Sequence, residues 1–218
     1  MPSIEHIPTH TRTGVTFALP IALFFMAYVY LYDGSLTTLL SWSRVTAGTA
    51  AILLGLSLGM GSYAYYTGTA VHNDLKKQLG HQAFWLSLAY SVMLCVLFPA
   101  RYWYGLWENL YTADVALGLS AMFILGIMTF ITEQPWITYV GEHFAYSFLT
   151  MGYIAYALLV MRAVFIEWEI WMLWVATLST LPPPRILLSL FAVSILCMRA
   201  WVPVHKAYYA RLNTTSHS

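Results

Sequence analysis

Charge is what this sequence has least of. Only 9% of its residues are charged while 60% are hydrophobic, whereas a soluble domain carries roughly a quarter charged residues. So few polar groups cannot cover a compact particle in water. A bilayer removes that requirement, because lipid solvates apolar side chains directly. Cysteine is also scarce: Cys95 and Cys197 are the only two, which excludes a disulfide framework and a Cys-rich metal site. Both lie in apolar runs, near opposite membrane faces in the topology below. No basic tract is present and the net charge is +1, which argues against a nucleic-acid partner. The longest hydrophilic stretch within the chain, Thr67 to Gly80, is too short for a nucleotide-binding domain of Rossmann type. No nucleophile–base pair, phosphate-binding glycine loop or pair of carboxylates occurs at a useful spacing, and no internal repeat is visible.

What is present is a series of apolar runs. A helical crossing needs about 20 mostly apolar residues. Five such runs stand out: Val15 to Tyr32, Val45 to Tyr66, His81 to Phe98 closed by Pro99, Val115 to Thr132 with Asp114 at its edge, and Phe144 to Met161. The polar stretch 1–14 precedes a run with no cleavage-site pattern after it, so the first run reads as a retained helix. Ala163 to Leu181 is apolar but carries Glu167 and Glu169 among Trp168, Trp171 and Trp174. Carboxylates are costly at a bilayer centre and tryptophan favours the interface, so this stretch reads as an interfacial segment, with a seventh crossing as the alternative. Pro182-Pro183-Pro184 then breaks the chain, and a sixth crossing follows from Arg185 to Trp201, with a polar tail over 202–218. The expectation is an all-α integral membrane protein, a six-helix bundle over 15–201.

Loop charges orient it. With both termini cytoplasmic, Arg12, Lys76, Lys77, Arg199, Lys206 and Arg211 lie inside, and Arg44, Arg101, Arg162 and Arg185 outside. All seven histidines then fall on the cytoplasmic side. His81 and His143 sit at helix starts, His72 in a loop, and His6, His10, His205 and His217 in the tails. None is placed deep in a span, where haem ligands project from facing helices. Ionisable residues at the span edges, Asp114, Glu133, Glu142 and Arg162, read as capping and snorkelling groups, which argues against a pump. The second run carries Gly48, Ala51, Gly55 and Gly59 at helical spacing, a face suited to close helix packing and to a neighbouring membrane subunit. Tyr63, Tyr65 and Tyr66, and Tyr102, Trp103, Tyr104 and Trp107, form aromatic belts at run ends.

Three segments carry a resemblance. Thr46-Ala47-Gly48-Thr49-Ala50 opens the second helix, and a polar loop leads to Lys77-Gln78-Leu79-Gly80. Leu117-Gly118 runs through Thr129-Phe130 to Tyr153. Leu181-Pro182-Pro183-Pro184 precedes an apolar helix ending in Met198-Arg199. In this order and spacing, Val45 to Arg199 resembles the ferric-reductase-like transmembrane domain, closest to the haem-binding membrane subunit of the periplasmic methionine sulfoxide reductase system. The resemblance implies six helices in a bacterial inner membrane and histidine ligands to b-type haem. The positions that match those ligands hold Tyr90 on the third helix and Leu149 and Arg162 on the fifth. A one-residue shift gives Phe148 and Met161, again without histidine. The resemblance therefore implies a haem-less relative with no cofactor: a non-catalytic accessory subunit that scaffolds, protects or assembles a larger membrane redox or photosynthetic complex. Two alternatives remain. One is a haem b electron-transfer subunit using Tyr90, Met161, His81 or His143. The other is a binder of lipid, quinone or pigment in the vacated haem cavity.

Overall fold

The computed structural model describes residues 10–68, 73–110, 112–131, 142–178 and 181–215. Every regular element among them is helical: α1 (His10–Asp33), α2 (Leu39–Thr67), α3 (Asn73–Leu97), a π-helical turn (Ala100–Tyr104), α4 (Leu106–Asn109), α5 (Ala113–Ile131), α6 (Glu142–Thr177) and α7 (Pro184–Thr215). Five stretches among the described residues are long and apolar enough to cross a bilayer: Thr16–Asp33, Leu39–Thr67, Asp74–Leu97, Ala113–Ile131 and Pro184–His205. That is the make-up of an integral membrane protein, and it agrees with five of the expected runs.

Local chemistry sets the ends. Thr38 caps α2, its hydroxyl oxygen accepting the Ser41 N–H at 3.2 Å, and Gly68 closes the helix in a left-handed conformation at φ 68°, a geometry open to glycine at little cost. Three boundaries differ from the sequence reading. First, α3 begins at Asn73, not His81, so the polar stretch before it is mostly helix. Asp74 lies in its first turn, where the helix dipole favours an acid, and Leu79 and Ala83 turn one face into the core. Second, the fifth run and the tryptophan-rich stretch are one helix. α6 has 36 residues, about 54 Å at 1.5 Å per residue. No proline or glycine interrupts it after Gly152. Of the two carboxylates that argued against continuity, Glu167 is neutralised, since it pairs with Arg185 at 2.8 Å and accepts the Trp171 indole N–H at 3.2 Å, while Glu169 is exposed. Third, α7 continues through Pro203 to Thr215, so the segment read as a polar tail is largely helical.

α2 is the centre of the bundle. In its apolar stretch 61% of residues are buried, against 22% in α3, α5 and α7 and 11% in α1. Its small residues receive large ones from neighbouring helices. A side chain at Gly48 would meet the Phe25 ring of α1, one at Gly55 would meet Phe191 of α7 and the Tyr156 hydroxyl of α6, and one at Gly59 would meet Ile195 of α7. The Gly55/Gly59 face offered by the sequence to another subunit is thus filled by this chain itself. Two tyrosines of α6 lock onto the α2 backbone, Tyr153 donating to the Leu58 carbonyl at 2.7 Å and Tyr156 to the Ala51 carbonyl at 3.0 Å. Ser57 does the same for α3, donating to the Lys76 carbonyl at 2.8 Å. Apolar side chains such as Leu31, Phe123 and Leu190 point outward, as a lipid-facing surface requires.

Candidate functional site

Between α2, α3, α5, α6 and α7 lies a cavity of about 380 Å³. Its inner walls are apolar: Ala50 and Leu54 of α2, Leu94 of α3, Met122 of α5, Leu159 of α6 and Ala192 of α7. At one end it adjoins a second, more polar cavity of about 240 Å³. Tyr90, Tyr102, Asp114, Arg162 and Arg185 line both.

Asp114 organises the shared end. Its side chain is only 8% exposed and accepts from three groups: Arg162 Nε at 2.7 Å, Arg101 at 2.9 Å and the Tyr102 hydroxyl at 2.7 Å. Arg162 Nε also reaches the Asp114 backbone carbonyl at 3.1 Å. The elements that bring these groups together are specific. The π-helical turn after Pro99 presents Arg101 and Tyr102, and it closes where the Gly105 N–H meets the Ala100 carbonyl at 3.0 Å. A side chain at Gly105 would collide with that carbonyl. Gly118 makes room for Arg162 against α5, since a Cβ there would stand 3.1 Å from Arg162 Nε. Burial, and then the hydrogen bond to Asp114, push the Tyr102 pKa above its ordinary value of 10.0. Tyr102 therefore remains a neutral donor.

Arginine continues around the rim. Arg185 takes Glu167 and Arg44 takes Asp33. All four arginines grouped on one side by the sequence, Arg44, Arg101, Arg162 and Arg185, line the polar cavity together. The sequence reading made Asp114 and Arg162 capping and snorkelling groups; Asp114 does stand in the first turn of α5, but both side chains are turned inward rather than to the interface. They form a buried ion pair, which holds its charges only because each is hydrogen-bonded. The signal was present in the sequence, since opposite charges stood at run ends on the same expected face.

The two expected haem-ligand positions within the described side chains, Tyr90 and Arg162, do converge on one cavity. Their chemistry does not fit haem. A guanidinium has no lone pair to give iron, and among the described residues no histidine lines either cavity. Met161 lines neither cavity and is 48% exposed, so it does not join Tyr90. His81 lines neither cavity, and His205 lies with Tyr65 at 3.1 Å. His6, His10, His72, His143 and His217 fall outside the residues whose side chains are described, as do Phe148, Leu149, Glu133 and Glu142. Among the described residues no group of three or more metal-binding side chains occurs. Cys95 lines the apolar cavity and Cys197 is exposed on α7; both are free thiols.

No protein-family model matches the chain, and no curated protein matches it. The functional reading therefore rests on the fold and on this cavity.

Proposed function

We propose that this chain is a non-catalytic integral membrane subunit that holds one small apolar or amphipathic molecule, of the lipid, quinone or pigment class, between its helices. α6 supplies the sixth crossing, and the frame is that of a ferric-reductase-like domain whose haem ligands are gone. The observation that carries the reading is the cavity itself. It is walled by apolar side chains from five helices, and the two residues that replace the expected ligands stand at one end of it. Pockets of this kind, mostly apolar with a few convergent polar groups, are the usual form of small-molecule sites. The four-arginine end faces away from the cytoplasm in this reading, in a bacterial inner membrane with both termini on the cytoplasmic side. The test is organic extraction of protein purified from its native membrane. One non-phospholipid or single enriched lipid species per chain is expected. Bulk phospholipid alone would overturn the reading.

A second role, as a scaffold in a larger membrane redox or photosynthetic complex, is favoured by α1. Only 11% of its apolar stretch is buried, and Leu19, Leu23, Phe24 and Leu31 stand open along it. Mild detergent extraction followed by affinity purification should retain a second membrane subunit. Recovery of the chain alone would count against this role.

A further inference from the structure

We infer that the molecule held in the cavity is an anionic amphiphile, an acyl chain ending in a carboxylate or phosphate, with its headgroup among Arg101, Arg162, Arg185 and Tyr90. This rests on the cavity being a ligand site and adds the chemistry of the ligand. The first argument is charge. Four guanidiniums face the polar end and three carboxylates answer them: Asp33 takes Arg44, Glu167 takes Arg185, and Asp114 is divided between Arg101 and Arg162. Among the described residues one positive charge is left over. The nearest other carboxylates in sequence, Glu108 and Glu169, are exposed and line neither cavity. The surplus positive charge lies at the polar cavity, which all four arginines line, and arginine is the side chain best suited to grip a carboxylate or phosphate.

The second argument is independent of the first. Tyr90 lines both cavities, has Arg162 as its electrostatic neighbour, and its hydroxyl makes no hydrogen bond to another described residue. Tyr102, Tyr153 and Tyr156 all have acceptors. A ligand headgroup at the arginine end supplies the partner that the Tyr90 hydroxyl lacks among the described residues. The apolar cavity beyond, about 380 Å³ and running inward past Leu54 and Ala192, takes the chain. A neutral quinone would leave the extra charge unanswered, and a cationic amphiphile would add to it.

The experiment uses the full chain, delipidated in neutral detergent, and native mass spectrometry with four probes of one chain length: oleate, oleoyl lysophosphatidate, oleyl alcohol and oleylamine. Either anion should bind at one per chain at least tenfold more tightly than the alcohol, and the amine should not bind. Preference for oleate or for the lysophosphatidate supports the inference in either case and names the headgroup. Arg101→Gln is the main variant, because Arg101 is half-exposed and its loss leaves the Asp114–Arg162 pair in place. It should weaken anion binding several-fold and leave alcohol binding unchanged. Tyr90→Phe should weaken anion binding less. Equal binding of anion and alcohol would overturn the inference while leaving the cavity a ligand site. Failure of all four probes would overturn both.

Discussion

Asp114 and Arg162 are the pair on which the polar end of the cavity depends. Breaking one partner of a buried pair leaves the other charge uncompensated, at a cost of about 3–5 kcal/mol. Arg162→Met should fall near the low end of that range, because Arg101 and Tyr102 still answer Asp114. The double variant Asp114→Asn/Arg162→Met should cost less than the sum of the two singles by about 1 kcal/mol or more, since contacting residues couple. Denaturation in detergent micelles measures this, and strict additivity would show that the pair is not energetically joined. Tyr102→Phe removes a bond to a charged acceptor, a loss of about 1.5–3 kcal/mol. The sign of its pH dependence follows from the raised pKa. A group with a folded pKa above its unfolded value contributes fully below the unfolded value, and the contribution is lost as pH rises through the folded one. The Tyr102→Phe penalty should therefore be flat from about pH 5 to about pH 9 and shrink only in stronger alkali. A penalty that changes near neutrality would mean that Tyr102 is not the neutral donor to Asp114.

The helices of the bundle meet at α2 through glycine. Gly55→Leu would drive a side chain into Phe191 and Tyr156, and overpacking of this kind costs about 1–3 kcal/mol. Gly61→Ala should be harmless, because a Cβ there meets only the end of Lys76 at 4.0 Å. If both variants are equally stable, α2 does not pack as described. The sequence showed these glycines as a packing face but could not say who occupies it. Spacing alone does not separate a partner subunit from the chain's own α6 and α7. The positions of most helices were legible because twenty apolar residues in a row leave few other structures open. The start of α3 was missed because polar residues in a first turn look like a loop until Leu79 is seen in the core. The length of α6 was missed because the cost of Glu167 was weighed without Arg185, a partner 18 residues away that only folding brings near. In the same way Tyr90 and Arg162 were legible as positions through the family resemblance, whereas their union with Arg101, Tyr102 and Asp114 depends on a turn whose course no periodicity announces.

Taken whole, the molecule has a polarised bundle with one arginine-rich end. That end predicts a topology. In a background carrying Cys95→Ser and Cys197→Ser, cysteine introduced at Ser35 and at Glu108 should react with an impermeant maleimide from one side of the membrane, and cysteine at Gly68 from the other. Labelling of Ser35 and Glu108 positions from opposite sides would break the arrangement, because Arg44 and Arg101 line one cavity. The apolar chamber lined by five helices is what supports the proposed reading of a ligand-holding subunit. One measurement bears on that most directly: a native mass spectrum of the protein purified in mild detergent from its own membrane, taken with a reduced-minus-oxidised visible spectrum of the same sample. The account predicts one bound small molecule per chain, released by organic solvent, in a sample without a b-type haem band. A bare chain mass, or a haem signal near one per chain, would contradict it.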